Sequence, residues 1–179
     1  MTLSVSLVVG NPKANSRTRT VAEKLIAALL RDVPHRVEVI DLAEHTDEIF
    51  RWPSETFDDL NSRVAASDLA IFATPTYKAT YTGLLKAFLD RYPANGLSGV
   101  PAIAVTTGAD LTHSMGPTVF LGPLLTELGA IVLGRGFYFV IEQMDRVDEV
   151  VQEAADQYAA NIARIASLAA HARDWSGRI

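Results

Sequence analysis

Cysteine is absent from the 179 residues, which excludes disulfides, thiolate nucleophiles and cysteine-ligated metals and leaves the redox compartment open. Histidine is sparse: His35, His45, His113 and His171 stand apart without HxxxH spacing, a poor basis for zinc, so no metal site is expected. Basic residues are not in excess either. Sixteen Lys and Arg against twenty-one Asp and Glu leave a net charge of -5, so nothing draws the chain as a whole to nucleic acid or an anionic membrane. Long apolar runs are missing. The first run, 3–9, is too short for a membrane span and leads into polar Asn11 and Lys13 without a small-residue cleavage site, so a cytoplasmic protein is expected. There is no repeat, linker or low-complexity segment. With 49% hydrophobic residues, 1–179 is expected to form a single domain around one core.

What is present is alternation. Short apolar runs trade places with helical spacing, the pattern of βαβ units and of a parallel sheet covered on both faces. Residues 3–9 read as a first strand, stopped by Gly10, Asn11 and Pro12, after which Val21, Leu25, Ala28 and Leu29 recur at helical intervals. Residues 36–41 alternate polar with β-branched side chains and predict an edge strand. A helix is predicted over 54–66 with Ser54 as N-cap, and Phe50 and Trp52 before it are expected to cover a sheet edge. Residues 68–74 and 101–106 are almost continuously apolar, as central strands are. Between them Leu84, Leu85, Phe88, Leu89 and Tyr92 form one helical stripe. A further helix is predicted over 117–128, a last strand over 130–140 roughened by Gly134 and Gly136, and a long amphipathic helix from Arg146 to about Arg173. Right-handed crossovers make the flavodoxin-like arrangement the expected fold: an α/β, doubly wound, five-stranded parallel sheet in the order 2-1-3-4-5 with helices on both faces. A ligand then belongs beyond the carboxyl ends of strands one, three and four.

The loops at those ends carry the chemistry. After strand one comes GNPKANSRTR over 10–19, in which Ser16 and Thr18 offer hydroxyls, Arg17 a guanidinium, and the helix start unpaired N–H groups, the components of an anion site. The same residues also suit a plain helix cap with solvated arginines. After strand three comes TPTYKATYTG over 74–83, where Tyr77 can border a flat ring and the turn amides can meet its acceptors; a turn capped by Thr80 or Thr82 is the other reading. After strand four, in TTGADLTH over 106–113, Gly108 permits close backbone approach and Ala109 leaves room over a ring, with His113 either near the ligand or simply at the surface. No Ser, His and acid set stands on an elbow, and Asp41, Asp68 and Asp110 do not compose a phosphoacceptor pocket, which argues against a hydrolase or a receiver domain.

The run ATPTYKATYTGLLKAFLD over 73–90 closely resembles the NADPH-dependent FMN reductase family, especially the flavin reductases that serve two-component monooxygenases of sulfonate and aminopolycarboxylate metabolism. The resemblance extends from Val5 to about Val140 and departs at Asn11 and Lys13, where the family often has Ser and Arg, and at Ala109, where it often has Gly. It implies that Ser16, Arg17 and Thr18 hold the FMN phosphate, that Pro75, Thr76, Tyr77 and Lys78 lie along the isoalloxazine, and that Thr107, Gly108 and Ala109 close the ring site. It further implies NADPH or NADH as reductant, hydride transfer from the nicotinamide to FMN with no catalytic side chain, and delivery of reduced flavin to a partner monooxygenase. Homodimers or homotetramers are implied as well, with the helices at 84–92 and 119–128 as contact surfaces. The alternatives are an FMN-containing quinone or azo reductase and a flavodoxin-type electron carrier.

Overall fold

The computed structural model describes residues 2–172. Strand β1 (Leu3–Val9) sits between β2 (His35–Asp41) and β3 (Leu69–Pro75), and β4 (Pro101–Gly108) follows β3. All strand pairings are parallel and, with β5 (Ile131–Val132) beyond β4, the order is β2-β1-β3-β4-β5, the flavodoxin-like topology. Side chains alternate between two cores, which explains the unbroken apolar runs. Leu7, Val9, Ile71 and Val105 pack on one face against Val21, Leu25, Val151 and Tyr158, contributed by α1 (Arg17–Leu29) and α5 (Val147–Ala172). Val8, Ile40, Phe72 and Ala104 pack on the other against Phe57, Phe88 and Leu125, from α2 (Glu55–Ala65), α3 (Gly83–Leu89) and α4 (Gly122–Glu127).

Three local details differ from expectation. The single strand predicted over 130–140 is broken into β5 (Ile131–Val132) and β6 (Phe137–Val140), both paired with β4. Partners Ala102↔Val132 and Val105↔Phe137 leave two residues on β4 opposite four, 133–136, so the edge bulges outward. The helix predicted over 117–128 begins as a π-turn, Pro117–Leu121, before α4. Phe50 and Trp52 do not cover the sheet edge: they are 77% and 62% exposed, and Ile49 is the buried residue of that segment. Instead the Arg91 guanidinium lies 4.2 Å from the Trp52 ring centroid and 4.6 Å from that of Phe57, and donates to the carbonyls of Ile49 and Arg51. Ser54 caps α2 as expected, accepting from the Phe57 N–H. The expected end of the last helix, Arg173, lies outside the described residues.

Candidate active site

The order β2-β1-β3 reverses direction beside β1, so the loops leaving β1, β3 and β4 meet at one rim. Backbone and hydroxyl bonds tie them together. Gly10 donates its N–H to the Ala73 carbonyl at 2.7 Å and accepts from Thr82 Oγ1 at 2.5 Å; a Cβ on Gly10 would stand 2.5 Å from that of Leu85, so only glycine lets the first loop settle on α3. Thr82 also caps α3, accepting from the Leu85 N–H. The Thr76 N–H donates to the Thr107 carbonyl at 2.7 Å, joining the loops after β3 and β4. Thr18 and Thr107 join the first loop to the third through hydroxyls 2.8 Å apart, and Asn11 Nδ2 donates to the Thr18 hydroxyl at 3.2 Å.

Between these loops lies a cavity of about 430 Å³. Ser16, Arg17, Thr18, Pro75, Thr76, Tyr77, Thr107, Gly108 and Ala109 all line it, so the sequence-predicted residues converge with one exception. Lys78 stands outside the wall, at the tip of a turn closed by the Tyr77–Thr80 bridge, where it and Ala79 both adopt positive φ. His113 is exposed at the end of the short turn Leu111–His113 and does not reach the cavity.

The electrostatics of the wall are one-sided. Arg19 is neutralised by Glu23 at 2.8 Å and Asp41 at 3.6 Å, and these partners, the Glu23 bond first, push its pKa upward. Lys13 and Arg17, by contrast, have no carboxylate partner among the described residues. They flank the start of α1, where Ser16 caps by accepting from the Arg19 N–H and the N–H groups of Arg17 and Thr18 have no acceptor within the helix. Two free cations, a hydroxyl and a helix N-terminus together make a cradle for a dianionic phosphate. The apolar half of the wall is Pro75, Tyr77, Ala109 and Ile141.

Several wall and support residues escape a reading of the sequence. Asn15 enters with φ +52, a left-handed conformation that Asn tolerates, fixed by its N–H donating to Asp41 Oδ2 at 3.1 Å. Ile141 arrives from beyond β6. Tyr138, on β6 itself, donates its hydroxyl to the Asp110 carbonyl at 2.7 Å and packs against Gly108, where a Cβ would stand 1.8 Å from its Oη. Burial raises the Tyr138 pKa, the Thr76 hydroxyl beside it works in the opposite direction, and the Asp110 charge adds to the rise. Asp110 is itself held below its ordinary value by the hydroxyl and N–H of Thr112.

Residues 3–145 match the model of the family described as NADPH-dependent FMN reductase. The chain belongs to that family. As a member of the NADPH-dependent FMN reductases it is an oxidoreductase whose flavin is FMN and whose reductant is a reduced nicotinamide. It is 29% identical over 150 residues to the NADH-dependent FMN reductase SfnF of Pseudomonas putida, covering 80% of this chain and 81% of that one. It is 30% identical over 140 residues to an FMN reductase (NADPH) of Pseudomonas aeruginosa, covering 75% of each. Among solved structures, the apo form of the NADH:FMN oxidoreductase EMOB superposes with a TM-score of 0.79 at 29% identity, covering 89% of both chains. No helix among the described residues is long and apolar enough to cross a membrane.

Proposed function

We propose that the cavity between the three loops holds FMN, with its phosphate at the start of α1 and its ring system between the 75–77 and 107–109 segments, and that the chain supplies reduced FMN to a separate flavin-dependent monooxygenase. The observation that carries the placement is the pair of unneutralised cations, Lys13 and Arg17, beside the capped start of α1 at one end of a cavity whose other end is apolar. FMN, when bound, supplies the two-electron redox chemistry. The chain's own residues bind and orient. Ser16, Arg17 and Lys13 fix the phosphate; Tyr77 and Pro75 border the ring; Gly108, whose missing side chain leaves room for the Tyr138 hydroxyl, completes the wall at the end of β4. The described wall contains no Asp, Glu or His, and this reading gives its Lys13, Arg17 and Tyr77 binding roles.

The monooxygenase role is supported by the 73–90 run and by similarity to SfnF. A homo-oligomer working in the cytoplasm fits the same reading, with Val119 and Phe120, about half exposed, as its contact surface; of the other expected surface, 84–92, Leu85, Phe88, Leu89 and Tyr92 are buried in the chain's own core.

Titration of the purified protein with FMN, followed by flavin fluorescence, tests the placement. Ser16→Ala and Arg17→Ala should each weaken binding by about 1–3 kcal/mol, the worth of a charge-assisted phosphate bond. Unchanged affinity in both would move the phosphate elsewhere. Mixing with a reductase-free flavin-dependent monooxygenase, FMN and NADH tests delivery: absence of substrate oxidation would sink that part.

A further inference from the structure

A second cavity, of about 330 Å³, opens beside the bulge at 133–136. The bulge is built to hold Arg135 away from the sheet. Tyr158 donates its hydroxyl to the Arg135 carbonyl at 2.7 Å, and Asn161 Nδ2 donates to the Leu133 carbonyl at 3.3 Å. Gly134 has φ +96 and a Cβ on it would stand 2.6 Å from Asn161 Nδ2; a Cβ on Gly136 would stand 2.6 Å from that of Pro117. Glycine on both sides is therefore what allows the chain to turn out here.

The cavity wall has three kinds of chemistry. Phe137, Tyr138, Tyr158 and Leu111 give it aromatic and apolar surface. Glu153, Gln157 and Asn161, spaced by four on α5, bring a carboxylate and two carboxamides on one helix face. Arg135 donates to Met115 Sδ at 3.2 Å and has no carboxylate partner among the described residues, which leaves guanidinium N–H groups for a ligand. Tyr138 partitions this cavity from the flavin pocket: it lines the first and packs against Gly108 of the second.

We propose that this second cavity seats the adenosine half of the nicotinamide dinucleotide, whose other end crosses the Gly108–Asp110 loop to the flavin pocket. The proposal rests on the flavin-reductase reading above. Carboxamides match the paired donor and acceptor edge of adenine, a carboxylate accepts from ribose hydroxyls, and a free guanidinium takes a pyrophosphate oxygen. Glu153 opposes a ribose 2′-phosphate, so the seat favours NADH over NADPH.

Two measurements decide it: calorimetric titration of flavin-free protein with ADP-ribose, and steady-state oxidation of NADH and NADPH by the FMN-loaded enzyme. Wild type should bind ADP-ribose, and ADP-ribose should compete with NADH. Arg135→Ala should weaken ADP-ribose binding and raise the NADH KM about tenfold, the loss of one charge-assisted bond, while FMN affinity holds. Glu153→Gln should narrow the preference for NADH by raising kcat/KM for NADPH, a gain that damaged folding would not produce. ADP-ribose that failed to bind wild type, or bound Arg135→Ala equally well, would overturn the seat. Wild type that bound FMN yet oxidised neither nicotinamide would overturn the reductase reading instead, and the ADP-ribose titration would still decide the cavity.

Discussion

Glycine is the most constrained residue of the site. At Gly10 a methyl group would be driven against the Leu85 Cβ at 2.5 Å, backbone-anchored on both sides, so neither partner can swing away. Gly10→Ala should therefore destabilise the fold by about 1–3 kcal/mol, read as a lowered denaturation midpoint. At Gly108 the obstacle is a side chain, the Tyr138 hydroxyl. Gly108→Ala should weaken FMN binding by displacing that tyrosine, and adding Tyr138→Phe should restore part of the loss; an additive result would deny the contact. Residues that act through their own loop were legible in the sequence: Ser16, Arg17 and Tyr77 lie where hydroxyl, cation and aromatic ring follow a strand end. Those that come from another element were not. Tyr138 enters from the far edge strand and Ile141 from just beyond it, and no spacing in the chain announces that arrival. Lys78 belongs to the same suggestive run, and the left-handed turn sets it outside the residues that line the cavity.

At the scale of elements, strands buried on both faces were the plainest text, since the consecutive apolar stretches 7–9, 69–73 and 102–105 of β1, β3 and β4 serve two cores. The division of the last strand was not readable: the glycines signalled irregularity, but the bulge depends on Asn161 and Pro117 packed against it from other elements. Thr82 does two tasks for α3, capping the Leu85 N–H and donating to the Gly10 carbonyl. Thr82→Ala should cost about 1–2 kcal/mol, at the upper end for a cap, with FMN affinity falling as the first loop loosens. The starts of β1 and β3 are joined by Asp68, which accepts from both the N–H and the hydroxyl of Ser4 at 2.8 Å. Those bonds, the backbone one first, hold its carboxyl below the ordinary range. The stabilising contribution is therefore present above the unfolded value of about 3.9 and is lost as the pH falls through the lower folded one. Denaturation of wild type and Asp68→Asn across pH should show a gap at neutrality that closes in acid.

At the scale of the molecule, the topology follows from the order of apolar runs and the handedness of crossovers, and it brings the three loops to one rim without reference to any motif. Net charge is less informative: the chain carries -5 overall, yet the wall of the site presents two unneutralised cations. Phe120, 47% exposed on the π-turn, marks the face we assign to a second copy. Light scattering should give wild type a mass above one chain and Phe120→Asp a smaller one; a wild-type monomer would remove the oligomer from the reading. The hydrogen bonds that lash the first, third and fourth strand ends to one another are complete within a single chain, so the receptacle needs no reshaping to be filled. Encounter alone should then limit loading: in stopped-flow mixing the observed rate should climb in proportion to FMN concentration without levelling off, as the proposed delivery of reduced flavin requires.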